Sequence, residues 1–364
     1  MTEETLKSAR AKLRLWQEAY YNLDPQVSDQ EYDALADWVR RQDPEAPELK
    51  KVGAAVPKSS LWEKVTHKIP MGSLDKVNTE KEFEEWTQKS GASWQFFVTH
   101  KIDGSSMELV YEAGKLIQCV TRGDGIVGED VTENVKRIPN VPNELKKPVD
   151  VTIRGEVVMF KDVFKKFYAD EYANPRNTAA GKVRKKGGED CLYLSFLAYG
   201  LHGVELMSMT EVFFELEKLG FETPEYSYGD VEKMKEVFSV VKDVRDDIPY
   251  EIDGLVVSIN DMRVLEELGD LNMRPRGQIA WKFDAQMGIT RMVNVRWQVG
   301  PSGRVTPVAD IEPVKVGGVT ITSITLHNLS IFNDLKLWPG CRILVSRRND
   351  VIPYIEKNLD LEEI

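Results

Sequence analysis

Three cysteines, Cys119, Cys191 and Cys341, are all that the 364 residues contain. They stand far apart and form no Cys-x-x-Cys pair, so neither a disulfide framework nor a structural zinc site is expected. A reducing, cytoplasmic setting fits this usage. No apolar run reaches membrane-spanning length, so no membrane partner is expected. The stretch Met1 to Tyr21 is charged and helix-patterned, unlike a secretory leader. A basic excess is missing too. The formal net charge is −11, so any nucleic-acid partner has to be met by local patches. Two such patches exist, Lys182, Arg184, Lys185 and Lys186, then Arg342, Arg347 and Arg348. The plain alternative for each is a solvated charged face. No internal repeat or low-complexity tract is present.

What is there suggests two or three domains with ample apolar content, 42% of the residues. Leu6, Ala9, Leu13, Trp16 and Tyr20 recur at helical spacing. Asp24-Pro25 breaks that helix, and Ser28 followed by Glu31 is a capping-box pattern opening a second one. On it Asp29, Tyr32 and Asp33 share a face. Pro- and Ala-containing residues from Asp43 to Pro57 read as a linker. The middle is strand-rich: Gln95 to Thr99, Met107 to Tyr111, Lys115 to Thr121, Val151 to Met159, Leu255 to Ile259 and Gln278 to Phe283. Glu112-Ala113-Gly114 is a hairpin signal, and Met209 to Leu219 and Val231 to Val244 look helical. Strands and helices do not alternate regularly, so the class is α+β. From Met292 the pattern turns to short strands, Val293 to Val299, Arg304 to Ile311 and Arg342 to Ser346, as in a small β-barrel. The expected domains are 1–66 (helical), 67–288 (catalytic) and 289–364 (barrel).

One run could carry chemistry. Lys101-Ile102-Asp103-Gly104 places a lysine directly after a strand, and a lysine is a nucleophile once its amine is deprotonated. Taken alone, the four residues describe any turn with a surface lysine. Arg122-Gly123-Asp124-Gly125 adds a planar donor fork on a glycine-rich turn that a nucleotide can approach. Arg154-Gly155-Glu156 puts a carboxylate inside a strand, where it can meet ribose hydroxyls or a metal. The stretch Ala173 to Gly181 leads into Lys182 and Arg184. Glu251-Ile252-Asp253-Gly254 opens another strand, and Trp281-Lys282-Phe283 sets a lysine between aromatics.

In this order the pieces resemble the bacterial-type NAD-dependent DNA ligases, over nearly the whole chain. The motifs stand as KIDG at Lys101, TRGDG at Thr121, RGEV at Arg154, ANPRN at Ala173, EIDG at Glu251 and WKF at Trp281. The segments Tyr20 to Asp24 and Ser28 to Asp33 look like the family's nicotinamide-recognition domain. Gln298 to Gly300, Thr306 to Ala309, Leu326 to Asn328 and Asp350 to Pro353 are similar to its OB-fold domain. The resemblance implies a helical N-terminal domain, a nucleotidyltransferase (ATP-grasp-like ligase) domain with antiparallel sheets, and a C-terminal OB-fold β-barrel. It implies NAD as adenylate donor, Mg²⁺ or Mn²⁺ as cation, and nicked duplex DNA as partner, in a bacterial or virus-infected cell. Lys101, Asp103, Lys282, Arg176 and Arg184 are the implied catalytic residues. Tyr20, Tyr21, Asp29, Tyr32, Asp33, Ser73, Leu74, Thr99, Lys101, Arg122, Glu156, Tyr199, Arg245 and Lys282 would hold the nucleotide. Asp103, Glu156 and Asp253 would meet the metal.

Three departures from the family stand out. Thr99 replaces a usual glutamate, Ser258 replaces a usual lysine, and Lys282 is expected to take over much of the phosphate contact. The family's zinc finger, helix-hairpin-helix and BRCT domains do not follow the OB motifs. The expected protein is then a natural compact ligase, a truncated one, or one subunit of a split enzyme. It is expected as a monomer, or with an accessory subunit in place of the clamp. Two other readings compete. An RNA ligase or capping-type guanylyltransferase shares the lysine motif and OB fold but lacks the tyrosine–aspartate segment. A DNA-binding scaffold with a degenerate pocket is opposed by Lys101, Arg122, Glu156 and Lys282.

Overall fold

The computed structural model describes residues 3–22, 29–44, 46–50, 61–91, 94–172, 174–283, 287–299, 305–316, 319–326, 329–348 and 352–361. The break at Asp24-Pro25, the cap at Ser28, residues 45 and 51–57 of the expected linker, and His327, Asn328, Asp350 and Val351 lie outside them. Within that expected linker Pro47–Lys50 instead form a short helix, with Glu48 and Leu49 buried. The chain divides into two compact units, Met1–Val27 with Ala34–Phe283, and Ser28–Asp33 with Asp284–Ile364.

Two helices begin the chain, α1 (Glu3–Asn22) and α2 (Asp29–Gln42). Arg10 joins the end of this region to its start, with Nε on Glu48 at 2.8 Å and Nη1 on Asp43 at 3.1 Å. After it come two larger sheets, besides two-stranded pairings of 64–66 with 127–129 and of 270–271 with 274–275. The first holds β1 (Asp75–Val77), β2 (Phe96–Ile102), β7 (Tyr226–Gly229), β8 (Ile252–Ile259) and β9 (Gln278–Lys282) in the order β1-β9-β8-β2-β7. All pairs are antiparallel except β9 with β1. The second holds β3 (Ser105–Glu112), β4 (Lys115–Thr121), β5 (Val151–Val158) and β6 (Ser195–His202) in the order β4-β3-β5-β6, antiparallel throughout. The hairpin between β3 and β4 turns at Ala113 and Gly114, both at positive φ (48° and 79°).

Strand alternation separates core from site. On the first sheet Phe96, Val98, Leu255, Val257, Ile279 and Trp281 face one core, with α3 (Glu80–Ser90) and α6 (Val231–Val244) supplying Phe83, Met234 and Phe238. Trp281 stacks between Phe83 at 4.1 Å and Phe238 at 4.0 Å. Its neighbour Lys282 therefore lies on the opposite face, in register with Gly254 and, across it, Lys101. On the second sheet Met107, Leu109, Tyr111, Ile153 and Val157 enter a second core with Phe213 and Leu216 of α5 (Met209–Leu219). The opposite face carries two cross-strand pairs, Ser106 with Glu156 and Glu108 with Arg154.

The strands expected from the sequence are present, most of them longer. β2 runs through Lys101 instead of stopping at Thr99, and β8 begins at Ile252. α4 (Pro175–Arg184) begins with Asn174, whose side chain accepts from the Asn177 backbone, followed by Pro175 in the first turn.

The second unit contains one five-stranded antiparallel sheet: β10 (Met287–Val299), β11 (Val305–Val316), β12 (Val319–Thr325), β13 (Arg342–Arg348) and β14 (Ile352–Asn358), in the order β12-β11-β10-β13-β14. Met292, Ala309, Ile311, Ile321, Ile324, Ile343, Val345 and Ile355 form its core. The class is thus α+β with an OB-fold sheet at the end. Among the described residues no helix is long and apolar enough to cross a membrane.

Candidate functional site

The site-facing sides of the two sheets of the first unit collect the charged residues. Lys101 sits one residue from the end of β2, and its Nζ donates to Asp253 Oδ2 at 2.8 Å. Lys282 on β9 brings a second ammonium to the same oxygen, at 3.7 Å. Burial raises the Asp253 carboxyl, but the charges of Lys101 and Lys282 outweigh it and hold the group below the usual carboxylate range. Asp253 Oδ1 is buried with no hydrogen-bond partner. Arg176, in the first turn of α4, reaches Asp103 Oδ1 at 3.0 Å. The Asp103 backbone N–H is in turn tied to the Glu251 carbonyl at 2.9 Å.

Glu156 lies on the second sheet and is 6% exposed. Ser106 Oγ donates to both its oxygens, at 3.1 and 3.0 Å, and Tyr199 donates its hydroxyl at 3.2 Å. Burial pushes the Glu156 carboxyl up to about 7, against the Ser106 hydrogen bond and the charges of Arg176, Lys101 and Arg122. Burial and the Glu156 charge push the Tyr199 hydroxyl well above its ordinary value, so it stays a donor. Four cations, Lys101, Lys282, Arg176 and Arg122, thus act on three carboxylates, Asp103, Asp253 and Glu156, one of them half-protonated near neutrality. That balance suits a ligand bearing phosphates.

Two motif glycines exist for close approach. A Cβ on Gly104 would lie 2.5 Å from the Val157 carbonyl and 2.7 Å from Glu156 Cγ. A Cβ on Gly254 would lie 2.2 Å from the Trp281 carbonyl. Any side chain there would push the lysine strands off Glu156 and Lys282.

The remaining expected residues are placed as follows. Arg122 Nη2 donates to the Gly72 carbonyl at 3.1 Å, next to the half-buried Ser73 and Leu74. Thr99 spends its hydroxyl on the Glu225 carbonyl at 3.0 Å. Ser258 is buried on the same sheet face, in register with Phe97. Arg245 is buried behind the EIDG strand, donating to the Ile252 carbonyl at 3.3 Å with its guanidinium over Phe283. Tyr20 and Tyr21 fall on α1, and Asp29, Tyr32 and Asp33 on α2. Tyr32 is half-buried, and the side chains of the other four lie outside the described residues.

The first basic patch is largely engaged within the protein. Lys182 Nζ bonds Asp190 at 2.7 Å beneath the rings of Tyr168 and Tyr172. Arg184 pairs with Glu129 at 3.2 Å, and Lys186 lies 3.2 Å from the Trp62 ring centre. Glu129 and Trp62 come from distant segments, which a reading of one local charge run could not supply. In the second patch Arg342 pairs with Asp360 at 2.6 Å, and the side chains of Arg347 and Arg348 lie outside the described residues. The sequence reading missed Ser106, which the cross-strand register with Glu156 brings into the site. It also missed His67 and Glu108, a buried polar pair beside it that meets Arg154 of the RGEV motif.

The sequence profile of the NAD-dependent DNA ligase adenylation domain matches residues 59–286, and that of the NAD-dependent DNA ligase OB-fold domain matches 289–363. A DNA ligase of Sorangium cellulosum is 36% identical over 95% of this chain and 55% of its own length. One of Acinetobacter baylyi is 36% identical over 93% and 55%. One of Halothermothrix orenii is 36% identical over 98% and 57%. The chain spans about half the length of the curated relatives it matches. With the first profile alone covering well over half of the residues, and the KIDG, TRGDG, RGEV, EIDG and WKF positions converging on two facing sheet surfaces, the chain belongs to the NAD-dependent DNA ligase family.

Proposed function

We propose that the chain seals nicks in duplex DNA with NAD as adenylate donor, through a covalent lysyl-AMP on Lys101. The convergence of Lys101 and Lys282 on Asp253, with Arg176 on Asp103, carries this reading. It gives a nucleophile surrounded by cations, where a pyrophosphate would need them. Catalysis of phosphoryl transfer is mostly positioning and charge neutralisation, and this cluster supplies both. In the first step the Lys101 amine, after giving up its ammonium proton, forms a bond to the α-phosphorus of NAD. The bond from that phosphorus to the bridging oxygen breaks, and nicotinamide mononucleotide leaves. A DNA 5′-phosphate oxygen then bonds to the same phosphorus as the Lys101 N–P bond breaks, and the 3′-hydroxyl, losing its proton, bonds to the DNA phosphorus and expels AMP.

Lys282, Arg176 and Arg184 would neutralise phosphate charge. Glu156 would accept from ribose hydroxyls, and Tyr199 would face the adenine. Tyr20, Tyr21, Asp29, Tyr32 and Asp33 would grip the nicotinamide mononucleotide half, where aromatic faces and carboxylates suit a cationic ring. Mg²⁺ or Mn²⁺ fits best at Asp253, whose buried Oδ1 lacks a partner. Among the described residues no cluster of three or more acidic, histidine or cysteine side chains could hold a metal unaided, so phosphate oxygens would complete its shell. Bound there, the cation would offset phosphate charge, with Asp103 and Glu156 as the other candidate contacts. We assign residues 1–66 to NAD recognition, 67–288 to adenylation and 289–364 to DNA contact, in a cytoplasmic monomer or beside an accessory subunit.

The test is sealing of a nicked duplex by the full chain with NAD, ATP or GTP supplied separately. Sealing with NAD alone, lost in Lys101→Ala, is the expected result. Label transfer from ATP or GTP but not NAD would overturn the donor, and no sealing with a retained lysyl-AMP would overturn the acceptor.

A further inference from the structure

His67 is fully buried and makes three polar contacts. Its Nε2 lies 3.1 Å from the Thr121 carbonyl and 3.1 Å from the Arg122 carbonyl. Carbonyl oxygens only accept, so Nε2 carries a hydrogen. Its Nδ1 lies 3.2 Å from Glu108 Oε1, so the imidazole and carboxyl share a proton between them. Glu108 faces Arg154 across the strand pair, with Oε2 at 3.8 Å from Nη2. Arg154 Nη2 donates to the carbonyls of Ile69 at 2.7 Å and Pro70 at 2.9 Å. Glu108 thus lies against two side chains, His67 and Arg154, that tie the segment 64–74 to its neighbours.

That segment meets the nucleotide-facing loop at every turn. Residues Lys64–Thr66 pair with Val127–Glu129. The N–H of His67 bonds the Ile126 carbonyl at 2.9 Å, and that of Met71 bonds the Gly125 carbonyl at 2.8 Å. Further along, Gly72 accepts from the Arg122 guanidinium at 3.1 Å, and Ser73 N–H bonds the Met273 carbonyl at 3.0 Å. Arg122 is therefore held at both ends: His67 takes its carbonyl and Gly72 its guanidinium.

We propose that His67, oriented by Glu108, is a positioning residue that sets the grip on NAD by fixing Arg122 and the Gly72-Ser73-Leu74 segment. It touches no substrate atom itself. The proposal rests on the reading above, in which Arg122, Ser73 and Leu74 meet the nucleotide. Removing His67 would leave Lys101, Asp253 and Lys282 in place, so the chemical step should be spared and binding weakened.

The test is single-turnover formation of lysyl-AMP by the full chain across NAD concentrations, with thermal unfolding of each variant. His67→Ala removes the hydrogen bonds to the Thr121 and Arg122 carbonyls, so it should raise half-saturating NAD by about tenfold. The saturating rate should stay within about threefold of wild type. His67→Gln keeps an N–H donor for the two carbonyls and should recover most of the affinity. Glu108→Gln, milder in volume, should show the same split if His67→Ala does not fold. Unchanged half-saturation in a folded His67→Ala or in Glu108→Gln, or a fall in the saturating rate alone, overturns the proposal. So does His67→Gln behaving no better than His67→Ala. Absence of lysyl-AMP in the wild-type chain overturns the NAD reading itself, and it is seen before any variant is compared.

Discussion

Replacing Glu156 by glutamine should make the protein more stable and a poorer binder, and the first effect should depend on pH. The carboxyl is 6% exposed and burial lifts it from 4.5 to about 7. A raised carboxyl favours the protonated form in the folded state. Its contribution is therefore complete below pH 4.5 and is lost as pH rises through 7. At 1.36 kcal/mol per unit, the full penalty at pH 8 is about 3 kcal/mol. Glutamine carries no charge and still accepts from Ser106 and Tyr199, but its amide N–H groups lack a designed acceptor. An unsatisfied buried donor takes back about 1–2 kcal/mol, leaving a net gain of about 1–2 kcal/mol at pH 8. For a unit of this size that raises Tm by about 2–8 °C. At pH 4.5 the gain should vanish or reverse. The assay is thermal unfolding of wild type and Glu156→Gln in matched buffers from pH 4.5 to 8. An offset of the same size at both ends, or a variant less stable at pH 8, would refute the assignment of a buried, partly protonated carboxyl.

Other outcomes follow from the same geometry. Lys282→Ala should lower the rate of lysyl-AMP formation by about a hundredfold if its ammonium meets the phosphates, since a charged contact of about 2.7 kcal/mol is lost; near-normal adenylation would remove Lys282 from that role. Gly104→Ala should unfold at lower temperature and lose adenylation together, because the added methyl meets the Val157 carbonyl and Glu156; a loss of about 2 kcal/mol is expected from overpacking at such a contact. Thr99→Val should destabilise by about 1 kcal/mol through the lost bond to the Glu225 carbonyl, yet leave half-saturating NAD unchanged. A marked rise in half-saturating NAD in a stable Thr99→Val would show that the hydroxyl meets the nucleotide instead.

Much of the candidate site was legible through the six motifs that resemble the ligase family, and strand alternation accounts for where their side chains lie. Trp281-Lys282-Phe283 reads as an aromatic, a lysine and an aromatic, and period-two packing alone sends Lys282 away from the core that takes Trp281. Lys101 and Asp253 belong to strands whose antiparallel register brings Gly254 opposite Lys101. Other features depend on contacts distant in sequence. Nothing local marks Arg184 as paired, because its partner Glu129 belongs to a separate strand. His67 was invisible for the same reason, since its partners are 41, 54 and 55 residues away. The helix α3 could have been found: Thr79 and Glu82 form a capping box, and Phe83, Trp86 and Thr87 follow at helical spacing. The short β7 could not, because its four residues gain their strand conformation from pairing with Phe96–Thr99.

The central claim is that Lys101 accepts AMP from NAD. Intact-mass measurement of the full chain after incubation with NAD and Mg²⁺, followed by peptide mapping, tests it directly. One AMP adduct on the peptide bearing Lys101, absent in Lys101→Ala and discharged on adding nicked duplex, is the predicted result. An unmodified chain, an adduct on another lysine, or an adduct formed only with ATP would contradict it.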